Sequence, residues 1–162
     1  MNDDFIRLLC RLKEAKFDFV IIGGFAAAVH GSTFVTQDID ICCSFKFENL
    51  MHLQQAVSDL HPVHRMTTNK IPFILTEENF RHLNNLYLDT DLGQLDCLGH
   101  VQGLGNYHEV KSKSVSINIS NQSFWVLQLD ALIESKEALG RPRDLEMLRY
   151  LKSLQELKKE SE

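Results

Sequence analysis

The fold is decided between residues 17 and 42, which read FDFVIIGGFAAAVHGSTFVTQDIDIC. Residues 17–22 are β-branched or aromatic apart from one aspartate, a composition typical of a mostly buried strand. Gly23 and Gly24 end that strand, and residues 25–30 continue with helical character. This stretch therefore predicts a strand that passes through a glycine turn directly into a helix.

A second strand is predicted over residues 38–42, because polar and apolar residues alternate there with period two. The alternation places Asp38 and Asp40 on one face, about 6.6 Å apart along the chain. Two carboxylates this close are costly to bury unless a cation neutralises them. Two interpretations stay open at this point: a divalent-metal site, or an edge strand with both aspartates in solvent.

The turn at Gly23 and Gly24 also has two interpretations. In the first, backbone N–H groups of the turn bind an anionic phosphate, because glycine lets a phosphate come close to the main chain. In the second, the glycines only make a tight connection between strand and helix. A glycine turn followed by an Asp-x-Asp strand is more specific than either motif alone, and the combination favours the phosphate site.

The composition limits the class of protein. With 162 residues, 44% of them hydrophobic, the chain is long enough to bury a core, and we expect one domain over residues 1–162. The net charge of -5 argues against broad, sequence-independent binding of nucleic acid. The acidic start, and a longest apolar stretch (residues 19–29) too short to span a bilayer, predict a cytoplasmic protein without a membrane segment. The four cysteines form no Cys-x-x-Cys pair, so we expect reduced thiols and no zinc site.

The rest of the chain mixes both kinds of element. Hydrophobic periodicity predicts further helices over residues 3–15, 47–60, 77–85, 127–139 and 142–159. Further strands are predicted over residues 71–75, 86–89 and 94–98, with a hairpin of residues 115–119 and 124–126 around Asn121. The order of these elements predicts an α+β fold that ends in a pair of helices.

Lys136 lies within the apolar stripe of the helix predicted over residues 127–139. The stripe consists of Leu129, Leu132, Ile133 and Leu139. A lysine in that position either meets an anion or extends along the edge of the core to solvent. Arg141, Arg143 and Asp144 follow at the start of the last helix, where they orient Lys136, touch a phosphate or are simply solvated.

Three pieces of this pattern together resemble a known signature: Gly23-Gly24, His30-Gly31 and the run from Thr36 to Ile41. They are similar to the signature of the polymerase-β-type nucleotidyltransferase superfamily. More narrowly, the chain resembles small bacterial nucleotidyltransferase-like proteins related to abortive-infection and toxin–antitoxin systems. Later segments continue the similarity in the family's order: residues 91–96, 129–136 and 140–144. The resemblance implies a minimal nucleotidyltransferase fold, with a mixed β-sheet flanked by helices.

The resemblance also implies a metal site. In that family two carboxylates on a strand hold the metal, which places Mg²⁺ or Mn²⁺ on Asp38 and Asp40. A third carboxylate comes from a later strand, and the match assigns it to Asp96, which would also serve as general base. Asp89 and Asp91 are rival candidates for the third position.

By the same resemblance, Gly23 and Gly24 would grip a nucleoside triphosphate, with Lys136 and Arg143 as further phosphate contacts. The implied reaction moves an NMP from an NTP to an unknown hydroxyl acceptor, which is a protein, a tRNA or a small molecule. Family members often carry an arginine between the His-Gly pair and the first aspartate, whereas residues 32–37 hold no cation. That departure keeps an alternative open: a non-catalytic nucleotide-binding protein, or the partner of another protein in a toxin–antitoxin pair.

Overall fold

The computed structural model describes residues 2–161. Its α-helices are α1 (Asp3–Glu14), α2 (Gly23–Val29), α3 (Phe47–Val57), α4 (Tyr107–Ser112), α5 (Leu129–Leu139) and α6 (Leu145–Glu160). Its strands are β1 (Phe19–Ile22), β2 (Asp38–Cys43), β3 (Val63–His64), β4 (Asn85–Thr90), β5 (Gly93–Leu98), β6 (His100–Val101), β7 (Gly105–Asn106), β8 (Ser114–Ile119) and β9 (Gln122–Leu127). Short 3-10 helices cover Phe80–His82 and Pro142–Asp144.

A seven-stranded mixed sheet organises the molecule, with strand order β3-β4-β5-β2-β1-β9-β8. Strand β2 lies in the middle, parallel to β5 and antiparallel to β1, and β1 is parallel to β9. The remaining pairs in this sheet are antiparallel. The predicted mixed sheet flanked by helices is confirmed, and the edge-strand interpretation of residues 38–42 is wrong, because β2 has a partner on both sides.

The hydrophobic core forms where helices cover this sheet. Helix α1 begins after Asn2, whose side chain accepts a hydrogen bond from the backbone N–H of Asp4. Its apolar stripe, spaced three and four residues apart, is fully covered: Phe5, Leu8, Leu9 and Leu12. The β2 residues Ile39 and Ile41 are both 0% exposed, so the face of β2 opposite its two aspartates belongs to the core.

The predicted C-terminal pair of helices is also confirmed. Gly140, with φ +59°, ends α5 in the left-handed conformation that favours glycine, and α6 then packs against α5. Leu151 of α6 is buried, and Leu148 and Leu154 pack against the core. These three leucines of α6 therefore serve the fold of this chain, whereas Leu145 and Leu157 are exposed.

Two elements predicted between residues 71 and 85 are wrong. No strand covers residues 71–75 in the described chain, where the pairing is a single bridge between Val63 and Pro72. The helix predicted over residues 77–85 is only the 3-10 turn Phe80–His82. Thr76 and Asn79 bond each other's backbone N–H groups through their side chains, as at the start of a helix, but the chain becomes extended at Leu83 and no α-helix follows.

Four other elements were missed in the sequence: the strands β3, β6 and β7, and the helix α4. Each of these strands has only two residues, too few to produce a periodic pattern. Helix α4 begins after Asn106, whose side chain accepts from the backbone N–H of Glu109. An Asn with a Glu three residues later resembles a capping box, and this signal could have located α4.

The four cysteines are free thiols, and Cys42, Cys43 and Cys97 are buried. Within residues 2–161, the helices are all too short or too polar to cross a membrane. The cytoplasmic location stays a prediction.

Candidate active site

Three carboxylates meet on one face of the central sheet. Asp38 and Asp40 project from the same face of β2, and Asp96 of β5 lies directly opposite Asp40 in the parallel ladder. One oxygen from each of the three side chains lies within 4.8 Å of the others. Carboxylate oxygens are the ligands that Mg²⁺ prefers, so the donor set and its spacing fit a divalent cation.

Burial and mutual repulsion determine the electrostatics of this cluster. Burial, followed by repulsion from Asp38 and Asp96, raises the pKa of Asp40 to about 7, although Lys136 and Arg65 act in the opposite direction. Burial, opposed by Arg65 and reinforced by Asp38, raises the pKa of Asp96 to about 6. Ionised carboxylates therefore repel one another in this cluster when no metal ion is present. A bound divalent cation would neutralise that charge, so the cluster favours its binding.

We expect the metal-free protein to lose stability as the pH rises from about 4 to about 7. Asp40 has an ordinary pKa of 3.8 and a folded-state pKa of about 7, so in this window the folded state holds a proton that the unfolded chain has released. The stability that protonated Asp40 contributes is fully present below the pKa of the unfolded chain, and it is lost as the pH rises through the pKa of the folded state. Urea denaturation in EDTA at pH 5, 6, 7 and 8 measures the loss, and Asp40→Asn should make the dependence clearly flatter. If the free energy of unfolding depends on pH equally in wild type and Asp40→Asn, this prediction is contradicted.

The glycine turn lies directly against the carboxylates. Gly23 follows Ile22, which pairs with Asp40 across the ladder, and adopts φ +63°. A Cβ atom at Gly23 would overlap the Asp40 carboxylate, and one at Gly24 would lie 2.9 Å from Thr36 Oγ1. Glycine is required at Gly23 for both its backbone conformation and the space that Asp40 occupies.

Lys136 forms an ion pair with Asp144, and its role towards a phosphate stays a prediction. Its Nζ lies 3.2 Å from Asp144 Oδ1, and its charge lowers the pKa of Asp40. Arg141 also contacts Asp144, through Oδ2. Arg143, by contrast, is exposed on the turn Pro142–Asp144. Lys136 thus lies near the carboxylates, and the phosphate role of Arg143 stays a prediction.

Arg65, just after β3, is the site residue that sequence reasoning missed. Its Nη1 donates to Asp96 Oδ1 at 2.7 Å and its Nη2 to Asp96 Oδ2 at 3.0 Å. A two-residue strand produces no periodic pattern, so the sequence contained no direct signal for the position of this arginine. It contained only an indirect one, because three clustered carboxylates require a positively charged neighbour.

The two rivals for the third carboxylate lie outside the cluster. Asp89 pairs with Lys70 at 3.3 Å, and Asp91 pairs with the exposed His61 at 2.7 Å. The geometry therefore favours Asp96 as the third carboxylate, and its chemical role stays a prediction.

The loop of residues 32–37 contacts the last helix of the chain. The ring centroids of Phe34 and Tyr150 are 5.1 Å apart, and the backbone N–H of Thr33 donates to the Tyr150 hydroxyl at 3.2 Å. His30, considered in the family signature, has its Nε2 2.8 Å from the carbonyl oxygen of Leu127. It therefore fixes the end of α2 to the end of β9.

Comparison with solved structures identifies the fold. TM1012 from Thermotoga maritima, a protein assigned to the nucleotidyltransferases, matches with a TM-score of 0.59 and 18% identity over 93% of each chain. LnuA, a lincosamide antibiotic adenylyltransferase bound to lincomycin, matches with a TM-score of 0.59 and 16% identity over 95% of this chain and 98% of that one. The antibiotic-resistance factor ANT(2'')-Ia, in complex with adenylyl-2''-tobramycin, matches with a TM-score of 0.58 and 16% identity over 91% of this chain and 84% of that one.

No protein-family model matches the chain, and no curated protein matches its sequence. The structural neighbours nevertheless agree with one another, and the chain has a nucleotidyltransferase-like fold. This confirms the fold implied by the sequence resemblance. The narrower resemblance to toxin–antitoxin proteins stays a prediction.

Proposed function

We propose that this chain is a metal-dependent nucleotidyltransferase that moves the nucleoside monophosphate of an NTP to a hydroxyl group of an acceptor. The observation that carries the proposal is the convergence of Asp38, Asp40 and Asp96 within 4.8 Å, in a fold shared with adenylyltransferases. An acidic cluster alone is common in proteins. Its position against Gly23, in this fold, supports the chemistry.

Each residue has a defined task in this proposal. Asp38 and Asp40 would hold Mg²⁺ or Mn²⁺, which would neutralise phosphate charge. The backbone N–H groups at Gly23 and Gly24 hold phosphate oxygens. Asp96 takes the proton of the acceptor hydroxyl, and its pKa of about 6 suits a base that works near neutral pH.

The bond changes follow from these positions. The acceptor oxygen forms a bond to the α-phosphorus, the bond from that phosphorus to the bridging oxygen breaks, and pyrophosphate leaves with the electron pair. Lys136, near Asp40, stabilises negative charge on the phosphates. Most of the acceleration in such a reaction comes from positioning and charge stabilisation.

We expect Lys136→Gln to raise the KM for the NTP about tenfold, because a phosphate-facing ammonium loses its charge-assisted contact. Lys152→Gln is the matched control, since Lys152 of α6 makes an exposed ion pair with Glu137, the residue next to Lys136 in α5. Initial rates of pyrophosphate release against NTP concentration provide the measurement. Equal KM values for the two variants would remove Lys136 from the site.

A second candidate is a nucleotide-binding protein without turnover, alone or as one member of a protein pair. The absence of Lys and Arg from residues 32–37 favours it, because a phosphate contact of the resembled family is missing there. Calorimetry that shows tight NTP binding in Mg²⁺, with no product after hours, would support this candidate over the first.

The test of the proposal is a screen for pyrophosphate release. The protein is incubated with Mg²⁺, each of the four NTPs and an acceptor, and the acceptor carrying the corresponding NMP is sought by mass spectrometry. The names of the structural neighbours make ATP with tobramycin or lincomycin the first combinations, followed by tRNA and protein acceptors. Release that is equally fast in the Asp38→Ala/Asp40→Ala double variant would reject the proposal.

A further inference from the structure

Arg65 is held beside Asp96 by contacts that leave it little freedom. Its backbone N–H donates to the carbonyl oxygen of Tyr87 at 2.8 Å, and its guanidinium carbon lies 5.8 Å from the centre of the Tyr87 ring. Tyr87 is in turn the ladder partner of Asp96 on the neighbouring strand. The guanidinium therefore lies against both a ring face and a carboxylate from adjacent strands.

The pair that Arg65 makes with Asp96 is bidentate and largely shielded from water. The two nitrogen–oxygen distances are 2.7 and 3.0 Å, and the side chains are 19% and 12% exposed. Both oxygens of Asp96 are thus engaged by one cation. A guanidinium cannot give up its proton at any physiological pH, so this positive charge is permanent.

We propose that Arg65 is a resident cation that competes with divalent metal for Asp96, so that the nucleotide-free protein binds one divalent ion, on Asp38 and Asp40. This inference rests on the metal site of the proposed function. A second ion would have to displace a shielded two-bond contact and leave the guanidinium without its partner, which is a large cost. Arg65 is in this sense a positioning residue, because it acts on the metal site through Asp96.

The experiment counts Mn²⁺ ions by electron paramagnetic resonance in metal-depleted protein without nucleotide. Wild type is expected to bind one ion per chain. Arg65→Gln should bind a second ion, or bind the first at least about tenfold more tightly, since about 1.4 kcal/mol corresponds to a factor of ten. Arg65→Lys should fall between them, because lysine keeps the charge and loses the two-bond fork. Arg7→Gln, at an exposed arginine paired with Asp4, is the matched control and should behave as wild type.

A double-mutant cycle distinguishes competition for Asp96 from simple repulsion between Arg65 and the metal. In an Asp96→Asn background, Arg65→Gln should change the Mn²⁺ affinity clearly less than it does in wild type, because the contested carboxylate is gone and only the weaker action of Arg65 on Asp40 remains. An undiminished effect in that background would overturn the inference. Two ions bound to wild type, or Arg65→Gln indistinguishable from wild type, would overturn it as well.

Thermal unfolding by circular dichroism shows that each variant is folded before it is titrated. If Arg65→Gln does not fold, Arg65→Lys and the wild-type count still decide the question. Asp38→Asn keeps the test separate from that of the proposed function. If Asp38→Asn leaves Mn²⁺ binding unchanged, the metal site itself fails; if it removes binding while the Arg65 variants have no effect, only this inference fails.

Discussion

Asp40→Asn is expected to lower pyrophosphate release by about 100-fold or more while it makes the metal-free protein more stable at pH 8. The loss of activity follows because an amide cannot replace a carboxylate as a charged metal ligand, and charge stabilisation of this kind is worth factors of about 10²–10³. The gain in stability follows because the raised pKa of Asp40 means that its ionised form is disfavoured in the fold. Removing the charge should add on the order of 2 kcal/mol to the free energy of unfolding.

Two measurements on the same variant examine this prediction: initial rates with Mg²⁺ and urea denaturation in EDTA. Asp91→Asn is the control, since Asp91 is an exposed partner of His61 away from the cluster. It should retain the wild-type rate and lose little stability. If Asp40→Asn instead destabilises the protein at pH 8, the electrostatic description of the cluster is incorrect, even if activity is lost.

Gly23→Ala is expected to weaken Mn²⁺ binding at least about tenfold and to lower the free energy of unfolding by about 2–3 kcal/mol. A side chain at φ +63° is strained by itself, at about 1–2 kcal/mol. The added Cβ must also displace the Asp40 carboxylate, whose place it would share. Displacement of a ligand should reduce metal affinity beyond any effect on folding.

Gly31→Ala separates strain from displacement. Gly31 has φ +110°, so an alanine there is strained too, but a Cβ would meet no heavy atom within 4 Å. This variant should lose stability and keep the wild-type Mn²⁺ affinity. The two quantities are measured by urea denaturation and by Mn²⁺ titration, and equal affinity in both variants would show that Gly23 does not control the position of Asp40.

Much of the fold could be predicted because its elements carry local patterns. The alternation at residues 38–42 correctly placed both aspartates on one face, and the turn residues Ser120 and Asn121, both with positive φ, lie where the hairpin was expected. The segment of residues 63–85 could not be predicted in the same way. Its structure depends on a two-residue strand, a single bridge to Pro72 and side-chain bonds between Thr76 and Asn79, which leave no periodic signal.

The candidate site shows the same division. Gly23, Asp38 and Asp40 lie in one short stretch, and their motif could be recognised there. Asp96 was assigned to the site by the resemblance to the nucleotidyltransferase signature. In the structure, the parallel pairing of β2 with β5 places Asp96 directly opposite Asp40. Arg65 could not be found, because its relation to Asp96 arises only when β3, β4 and β5 have paired.

The central position of β2 has a mechanical consequence. Because ladders bind it on both edges, this strand cannot slide or fray without breaking two rows of hydrogen bonds, so its amide hydrogens should be among the last to exchange with deuterium. The carboxylates of Asp38 and Asp40 are thus anchored on a strand that is held at both edges. Under the proposed function, we expect any adjustment to the shape of an acceptor to come from less regular segments, such as residues 66–79, and not from β2.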